Sequence, residues 1–236
     1  ELPHAYAIVH PRHPEGNYPF GGLSGAGVAF KVATALLEEV PEELLDLAAI
    51  GTVADLVSLT GENRTLATLG LKALQQTTRP GLAALLQEAG LIPDKLTETN
   101  IGFGIAPRLN ALGRLQSAQS GVELLTTLDD ERATALAKQV NQLNEKRQGL
   151  VKTISASAIE QAQTPENETR QTLVITGHGW HEGVLGIVAS HGVGTTGKPT
   201  LVFTTDDDAR LRGTGRSVEA SHFFDAIDRD REPSGV

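Results

Sequence analysis

The stretch Thr172-Leu173-Val174-Ile175-Thr176 is a short apolar run with polar ends, which predicts a buried β-strand. A helix is expected over 183–191, further strands over 200–203 and 211–217, and a last helix near 220–227. Strands that alternate with helices are typical of an α/β fold. The C-terminal part of the chain is therefore predicted to be a small α/β domain.

The part upstream of this domain is predicted to be mostly helical. Its expected helices cover residues 28–39, 42–50, 63–76, 82–89 and 117–128. A longer helix follows, because no proline occurs between Asp129 and Pro165 and apolar residues recur at spacings of three, four or seven. This helix is either an ordinary packed helix or a connector between two domains.

A polar, turn-forming loop at 163–169 predicts the main domain boundary. Three parts are expected: residues 1–128, a connecting helix over 129–163, and a second domain over 170–236. The chain contains no methionine and opens at Glu1, so we expect a fragment of a longer protein.

Composition places the chain among ordinary globular proteins, with 236 residues, of which 39% are hydrophobic and 21% charged. No apolar run is long enough for a membrane helix, and the absence of cysteine fits a cytoplasmic protein. The net charge of −9 argues mildly against non-specific nucleic-acid binding. Basic residues nevertheless concentrate at 108–152 and 210–216, so an acidic body with a basic channel is possible.

The segment Pro107-Arg108-Leu109-Asn110-Ala111-Leu112-Gly113-Arg114 follows small and apolar residues, which predicts a buried setting. Buried charges need partners, and a guanidinium suits carboxylate or phosphate oxygens. On one helix Arg108 and Arg114 would lie on different faces, so a turn is expected at Gly113. Two interpretations stay open: binding of a phosphate, or bracing of the fold by an Arg–carboxylate pair.

Asp55 is the only charged residue between Asp46 and Glu62, so its carboxylate is expected to be capped, paired or bound to a cation. A glycine-rich segment at 21–27, which includes Ser24, leads into a predicted helix. Its glycine spacing matches neither the P-loop nor the dinucleotide fingerprint. It predicts either an anion site at a helix N-terminus or tight packing of small residues.

Two loops of the predicted α/β domain have polar residues suited to ligands. Residues 177–183 contain His181 and join a predicted strand to a helix, which is a common position for a binding loop. Their order matches neither common helical zinc motif. Residues 212–217 combine two arginines with hydroxyls, which indicates either a phosphate site or a glycine-rich hairpin with solvated arginines.

Five segments together resemble, in this order, motifs of the RecJ-type exonucleases of the DHH phosphoesterase superfamily. They cover residues 23–31, 51–55, 107–114, 179–190 and 213–217, and the resemblance extends from about Ala7 to Ile227. It implies an α/β protein with three parts. These are the C-terminal part of a parallel-sheet DHH domain, mostly helical here, then a long connecting helix, and then a smaller α/β DHH-associated domain.

The resemblance also implies a 5′-to-3′ exonuclease that cleaves single-stranded DNA in repair and recombination with Mn²⁺ or Mg²⁺. Asp55 would be a metal ligand, with Arg108 and Asn110 beside it at the catalytic centre. The residues implied to bind nucleic acid or phosphate are Ser24, Arg108, Asn110, Arg114, His181, Thr214, Arg216 and Ser217. A single-strand-binding protein or a helicase is a possible partner.

The Asp-His-His motif that gives the superfamily its name is absent from this sequence. One aspartate does not hold two divalent ions, so the isolated chain is expected to be inactive. Two alternatives stay open. One is another DHH phosphoesterase, acting on oligonucleotides or cyclic dinucleotides; the other is a non-catalytic nucleic-acid-binding scaffold with this fold.

Overall fold

The computed structural model describes residues 2–208 and 210–219, which divide into two compact units. The first, here called the helical unit, contains Glu1–Leu112 and Ser117–Gln142. The second, here called the sheet unit, contains Gly113–Gln116 and Leu143–Val236. The predicted domain limits at 128, 163 and 170 stay a prediction.

Seven α-helices are described up to residue 126, and the five helices predicted in this region are confirmed within a few residues. They are α1 (Gly25–Leu37), α2 (Leu45–Ala54), α3 (Gly61–Gln75), α4 (Pro80–Glu88), α5 (Glu98–Asn100), α6 (Ala106–Leu115) and α7 (Gln119–Thr126). Local chemistry sets several starts. Ser24 caps α1, Pro80 occupies the first turn of α4, and Thr97 forms a capping box with Asn100 at α5.

Two glycines let helices of the helical unit approach each other closely. A Cβ on Gly70 of α3 would lie 2.1 Å from the carbonyl oxygen of Leu45. A Cβ on Gly51 of α2 would lie 2.2 Å from the Cβ of Ala26 in α1. Helix α2 is therefore held between α1 and α3 at distances that only glycine permits, over a core that includes Phe30 and Leu66.

A buried ion pair braces the same unit. Asp46 is 5% exposed, and its Oδ2 accepts from Nε of Arg79 at 3.3 Å. The Arg79 guanidinium also donates to the carbonyl oxygens of Leu125, at 3.1 Å, and Glu43, at 2.8 Å. One arginine thus ties together backbone segments that are far apart in the sequence.

The arginine-bearing segment differs from the prediction in two respects. The chain forms a π-helical turn over Ile101–Ile105 and then runs without a break through Gly113 as α6, so the expected turn is wrong. The segment is also amphipathic rather than buried, since Asn110 and Arg114 are exposed. A Cβ on Gly113 would have no neighbour within 4 Å, so no close contact requires a glycine at this position.

The predicted long helix is confirmed as α8, Asp130–Ala162. Its first part belongs to the helical unit and its residues from Leu143 onward belong to the sheet unit. The loop predicted at 163–169 is corrected, because Pro165–Thr169 form a short helix, α9, that begins with proline.

The sheet unit contains a three-stranded sheet in the order β1-β2-β3 among its described residues. Strand β1 (Leu173–His178) leads into α10 (Glu182–Thr196), which is followed by β2 (Thr200–Thr205) and β3 (Leu211–Arg216). β1 and β2 are parallel, with Leu173 opposite Thr200, whereas β2 and β3 are antiparallel, with Thr200 opposite Arg216. The predicted α/β class is confirmed; the helix expected near 220–227 lies outside the described residues.

The core of the sheet unit joins α8 to the sheet. It contains Val151, Ile154, Ala158, Leu173, Ile175, Val184, Leu185, Val188, Ala189 and Val202. Because α8 supplies part of this core, its second half is an integral part of the unit as well as a connection. No helix among the described residues is long and apolar enough to cross a membrane.

Candidate nucleic-acid interface

The N-terminal end of α10 is the centre of the candidate site in the sheet unit. His181 is the N-cap residue, and its Nδ1 accepts from the backbone N–H of Gly183 at 3.1 Å. In the neutral ring the proton therefore resides on Nε2, which is a donor. The dipole of a 15-residue helix favours an anion at this end.

Arg114 packs against the first turn of α10. Its Nη1 donates to the carbonyl oxygen of Gly183 at 3.1 Å. A Cβ on Gly183 would lie 2.0 Å from the backbone oxygen of Arg114, so this approach requires glycine. The guanidinium is thereby held beside the helix end while the side chain stays exposed.

Arg216 lies against the next turn of the same helix. Its Nη2 lies 2.9 Å from the position of a Cβ on Gly186, three residues after Gly183 and therefore near it on the helix surface. Its Nη1 donates to the carbonyl oxygen of Gly215 at 2.9 Å and to Oγ1 of Thr214 at 3.4 Å. Two arginines from distant parts of the sequence thus meet α10 at small residues.

Arg147 of α8 is a third arginine in this group. Its Nε and Nη2 donate to Oδ1 of Asn144, at 3.2 and 3.0 Å. Burial lowers the pKa of the Arg147 guanidinium, and the positive charge of Arg114 lowers it further. The positive charges of Arg114 and Arg147, which belong to the same sheet unit, therefore repel each other.

We call Arg114, Arg147 and Arg216 the arginine cluster. Within the described part of the chain, no carboxylate lies within ion-pair distance of any of the three. The three guanidiniums repel one another, and no carboxylate neutralises them, so a bound anion would stabilise this arrangement. Arg114 and Arg216 were predicted as site residues from the sequence. Arg147 was not, although it falls in the basic run at 108–152. What would have identified it is the lack of a carboxylate partner, which the sequence does not show.

The remaining predicted residues of the sheet unit lie at the end of β3. Thr214 is half-buried and accepts from Arg216, while Ser217 Oγ donates to the carbonyl oxygen of Val218 at 3.2 Å. The structure therefore brings Thr214 to the cluster through Arg216. The neighbouring Arg212 instead pairs with Glu182, at 2.8 Å.

Arg108 and Asn110 lie in the helical unit. Arg108 is half-buried, and its guanidinium donates to Oδ1 of Asn141 at 2.9 Å and to the carbonyl oxygen of Gly104 at 2.7 Å. These contacts support the bracing interpretation of Arg108, with neutral acceptors in place of a carboxylate. Asn110 is exposed.

Asp55 lies at the C-terminal end of α2 and is exposed, so its carboxylate is in contact with solvent, and its binding of a cation stays a prediction. The next residue, Leu56, has φ 57°, a left-handed conformation that costs a leucine energy. Backbone strain of this kind occurs preferentially at functional sites. Asp55 offers oxygen donors for a hard cation, but the described residues contain no group of three or more potential ligands.

Ser24 has a structural role in the helical unit. It is 1% exposed, its Oγ accepts from the backbone N–H of Gly27 at 3.0 Å, and it shares a hydrogen bond with Oγ1 of Thr52 at 3.1 Å. A phosphate would have to displace both interactions. The geometry therefore favours packing and capping over anion binding at the glycine-rich segment.

Comparison with known proteins shows which proteins the chain is similar to. No family model matches it. It is 44% identical over 233 residues to the single-stranded-DNA-specific exonuclease RecJ of Bacillus subtilis, covering 98% of this chain and 30% of that protein. To the RecJ of Escherichia coli it is 36% identical over 248 residues, covering 97% of this chain and 43% of that protein.

The fold gives the same result. The structure matches crystal structures of Thermus thermophilus RecJ in complex with Mg²⁺ and with Mn²⁺, each at a TM-score of 0.77 and 33% identity. The first match covers 93% of this chain and 34% of the other, and the second covers 90% and 31%. The chain belongs to the RecJ family, and it spans less than half the length of these curated relatives.

Proposed function

We propose that this chain is the nucleic-acid-binding portion of a metal-dependent exonuclease that degrades single-stranded DNA in the 5′-to-3′ direction. The observation that carries the proposal is the arginine cluster at the N-terminal end of α10, which lacks carboxylate partners within the described residues. Its positive charge and the helix dipole both suit a DNA phosphate. The similarity to RecJ exonucleases supports the same conclusion.

Each residue of the site has a proposed role. The three guanidiniums of the arginine cluster bind backbone phosphates, and Nε2–H of His181 donates to a phosphate oxygen. Thr214, Arg216 and Ser217 bind toward the 5′ end. Arg108 positions the wall of the catalytic centre through Asn141 and Gly104, and Asn110 is exposed for contact with DNA.

Mn²⁺ or Mg²⁺ is the proposed cofactor, as in the crystallised relatives. Such ions activate a water and stabilise the attacking and leaving oxygens of the phosphodiester. Asp55 fits as one oxygen ligand, and the other ligands would come from outside the described residues. The chain by itself is therefore proposed to bind DNA without cleaving it.

We further propose a division of labour along the chain. Residues 1–128 form the C-terminal part of the DHH domain, 129–163 the connecting helix, and 170–236 the substrate-binding domain. DNA repair and recombination in the cytoplasm, with a single-strand-binding protein or a helicase as partner, is the proposed setting. The similarity to exonucleases specific for single-stranded DNA supports this setting.

Binding to a labelled, 5′-phosphorylated single-stranded oligonucleotide, followed by fluorescence anisotropy across salt concentrations, tests the proposal. Arg147→Gln should weaken binding and reduce the slope of log affinity against log salt by about 0.7 for each phosphate that the variant no longer neutralises. Arg132→Gln is the matched control, because Arg132 is an exposed arginine paired with Glu123 in the helical unit. Equal binding by both variants and the parent chain would contradict the proposal.

Cleavage is tested in the same samples. With Mn²⁺ present, we expect no release of nucleotides by the isolated chain. Robust release would show that the described residues and their neighbours hold a complete metal centre, contrary to the proposal.

A further inference from the structure

A small cleft lies at the carboxyl ends of β1 and β2, beside the start of α10. It is lined by Trp180, Thr204, Asp206 and the Glu182–Arg212 ion pair, and its volume is about 130 Å³. In α/β folds, ligands bind outside the carboxyl ends of the strands. This volume is below the roughly 300–1,000 Å³ of sites for drug-sized ligands, so it suits a single ring system.

Trp180 forms a planar wall of this cleft. Its indole ring covers the backbone of Gly177, where a Cβ would lie 2.1 Å from Cε2 and 2.3 Å from Cδ2. Gly177 is therefore required for the ring to lie flat on β1. Trp180 is only half-buried, and its remaining surface lines the cleft.

Thr204 lies on the floor of the cleft with a hydroxyl that has no partner. Its side chain belongs to the buried face of β2, at 5% exposure, and no hydrogen bond to Oγ1 occurs within residues 2–208 and 210–219. Buried hydroxyls are normally hydrogen-bonded, because an unsatisfied one is costly. Thr204 lines the same cleft as Trp180, and its buried hydroxyl is a donor and acceptor without a partner among the described residues.

The carboxylates at the rim have acceptor capacity left. Oδ1 of Asp206 accepts from the backbone N–H groups of Asp208, at 3.1 Å, and Arg210, at 2.8 Å. Oε1 of Glu182 accepts from Arg212 at 2.8 Å. In the described structure these bonds use one oxygen of each carboxylate, so the other can accept from N–H groups of a ligand.

We propose that this cleft binds one base of the single-stranded DNA, stacked on Trp180 and hydrogen-bonded to Thr204. The inference rests on the proposed function, since the phosphates of the same strand would lie on the arginine cluster next to Glu182. Aromatic side chains stack any base, and carboxylates accept from exocyclic amino groups. Cytosine and adenine are therefore preferred over thymine.

Trp180 is the only tryptophan of the chain, so its emission reports directly on the cleft. The 236-residue chain is titrated with 5′-phosphorylated deoxycytidine, thymidine and abasic oligomers of equal length, which carry the same phosphates. We expect saturable quenching by the deoxycytidine oligomer, about tenfold tighter binding than the abasic oligomer, and weaker binding of the thymidine oligomer. Equal affinities for the three oligomers, without quenching of Trp180 by any bound oligomer, would overturn the proposal that the cleft binds a base.

A second titration separates this inference from the proposed function. Failure of all three oligomers to bind would refute phosphate binding by the chain. Free deoxycytidine, with 2-deoxyribose as control, would still test the cleft, because neither carries a phosphate. Saturable quenching by deoxycytidine alone supports the base site, and no difference between the two compounds overturns it.

Thr204→Val removes the unpartnered hydroxyl and keeps the shape of a residue suited to a strand. In this variant, we expect the ratio of the affinity for the deoxycytidine oligomer to that for the abasic oligomer to fall about fivefold. Thr200→Val is the matched control, because Thr200 lies on the same buried face of β2 but away from the cleft lining. Unchanged base preference in a folded Thr204→Val variant would contradict the hydrogen bond between Thr204 and the base. If the variant does not fold, the titrations of the parent chain decide whether the cleft binds a base.

Discussion

The carbonyl oxygen of Arg114 lies 2.0 Å from the point at which a Cβ on Gly183 would be placed, while the Arg114 guanidinium donates to the carbonyl oxygen of Gly183. The two residues are 69 positions apart in the sequence. Their contact fixes an arginine at the positive end of a helix, where its charge alone would be repelled. Backbone packing therefore holds the charge in place for an anion.

Gly183→Ala tests this contact. The added methyl group must displace the backbone of Arg114, so we expect the free energy of unfolding to fall by about 1–3 kcal/mol and DNA affinity to fall with it. Gly194→Ala is the control in the same helix, since nothing lies within 4 Å of a Cβ there. It should leave stability unchanged or raise it by up to about 1 kcal/mol. Denaturant unfolding measures both, and equal stability of the two variants would refute the argument.

The buried pair of Asp46 and Arg79 gives a second prediction. Arg79→Ala leaves a carboxylate unpaired at 8% side-chain exposure and removes the bonds to Leu125 and Glu43, so we expect a decrease in stability of about 3–5 kcal/mol. Arg170→Ala is the comparison, because Arg170 pairs with Glu166 on the surface. It should cost less than about 1 kcal/mol. Urea titrations that give similar midpoints for both variants would exclude a bracing role for Arg79.

The pH dependence of stability follows from Glu62. Lys31 Nζ lies 2.5 Å from its Oε2, and the hydroxyl of Tyr18 donates to the same carboxylate at 2.9 Å. The hydrogen bond from Lys31, followed by that from Tyr18, lowers the pKa of Glu62 below 4.5, against the opposing effect of burial. A lowered carboxyl pKa stabilises the fold above pH 4.5, and this contribution disappears as the pH falls through the folded value.

Glu62→Gln should therefore reduce the free energy of unfolding by no more than about 1 kcal/mol at pH 7, because the pair is partly exposed. The difference from the parent chain should shrink as the pH drops below 4.5. The pKa of Lys31 is raised, mainly by its hydrogen bond to Glu62, so its part disappears only above pH 10.5. If the difference in free energy of unfolding between the variant and the parent chain grew as the pH fell, Glu62 could not have a lowered pKa in the folded state.

Ser24→Ala separates two roles for the glycine-rich segment. If Ser24 is a helix cap, the variant is less stable by about 1–2 kcal/mol, and its DNA affinity stays within about twofold of the parent chain. The measurements are thermal unfolding and anisotropy with the same oligonucleotide. Weaker DNA binding at unchanged stability would instead establish Ser24 as a phosphate ligand.

Much of the fold could be predicted because hydrophobic periodicity is a local property. The helix seam that contains Leu136 and Ile154 predicted α8, and the apolar runs near Leu173 and Leu201 predicted two strands. The site was harder to predict because its contacts join distant positions. The sequence shows that Arg147 is basic, but not that Arg114 lies beside it or that no carboxylate is near among the described residues.

Exposure was the other property that the sequence did not reveal. Asp55 follows a run of apolar residues, yet it lies just after the last turn of α2, where the chain reaches solvent. Gly113 was expected to break a helix, but a glycine without close neighbours is tolerated within one at a cost of about 1 kcal/mol. The buried setting expected for the arginine-bearing segment was wrong because neighbouring residue types do not specify which side of a helix faces the core.

The enclosure of α2 has a consequence for amide hydrogen exchange. Six of its ten residues are buried, and Gly51 and Gly70 bring the backbones of α1 and α3 against it. Its amides should therefore exchange only when the helical unit opens as a whole, more slowly than those of the exposed turn that follows. Asp55 therefore lies at the end of one of the least mobile segments of its unit. The position of its carboxylate would be fixed before any cation binds.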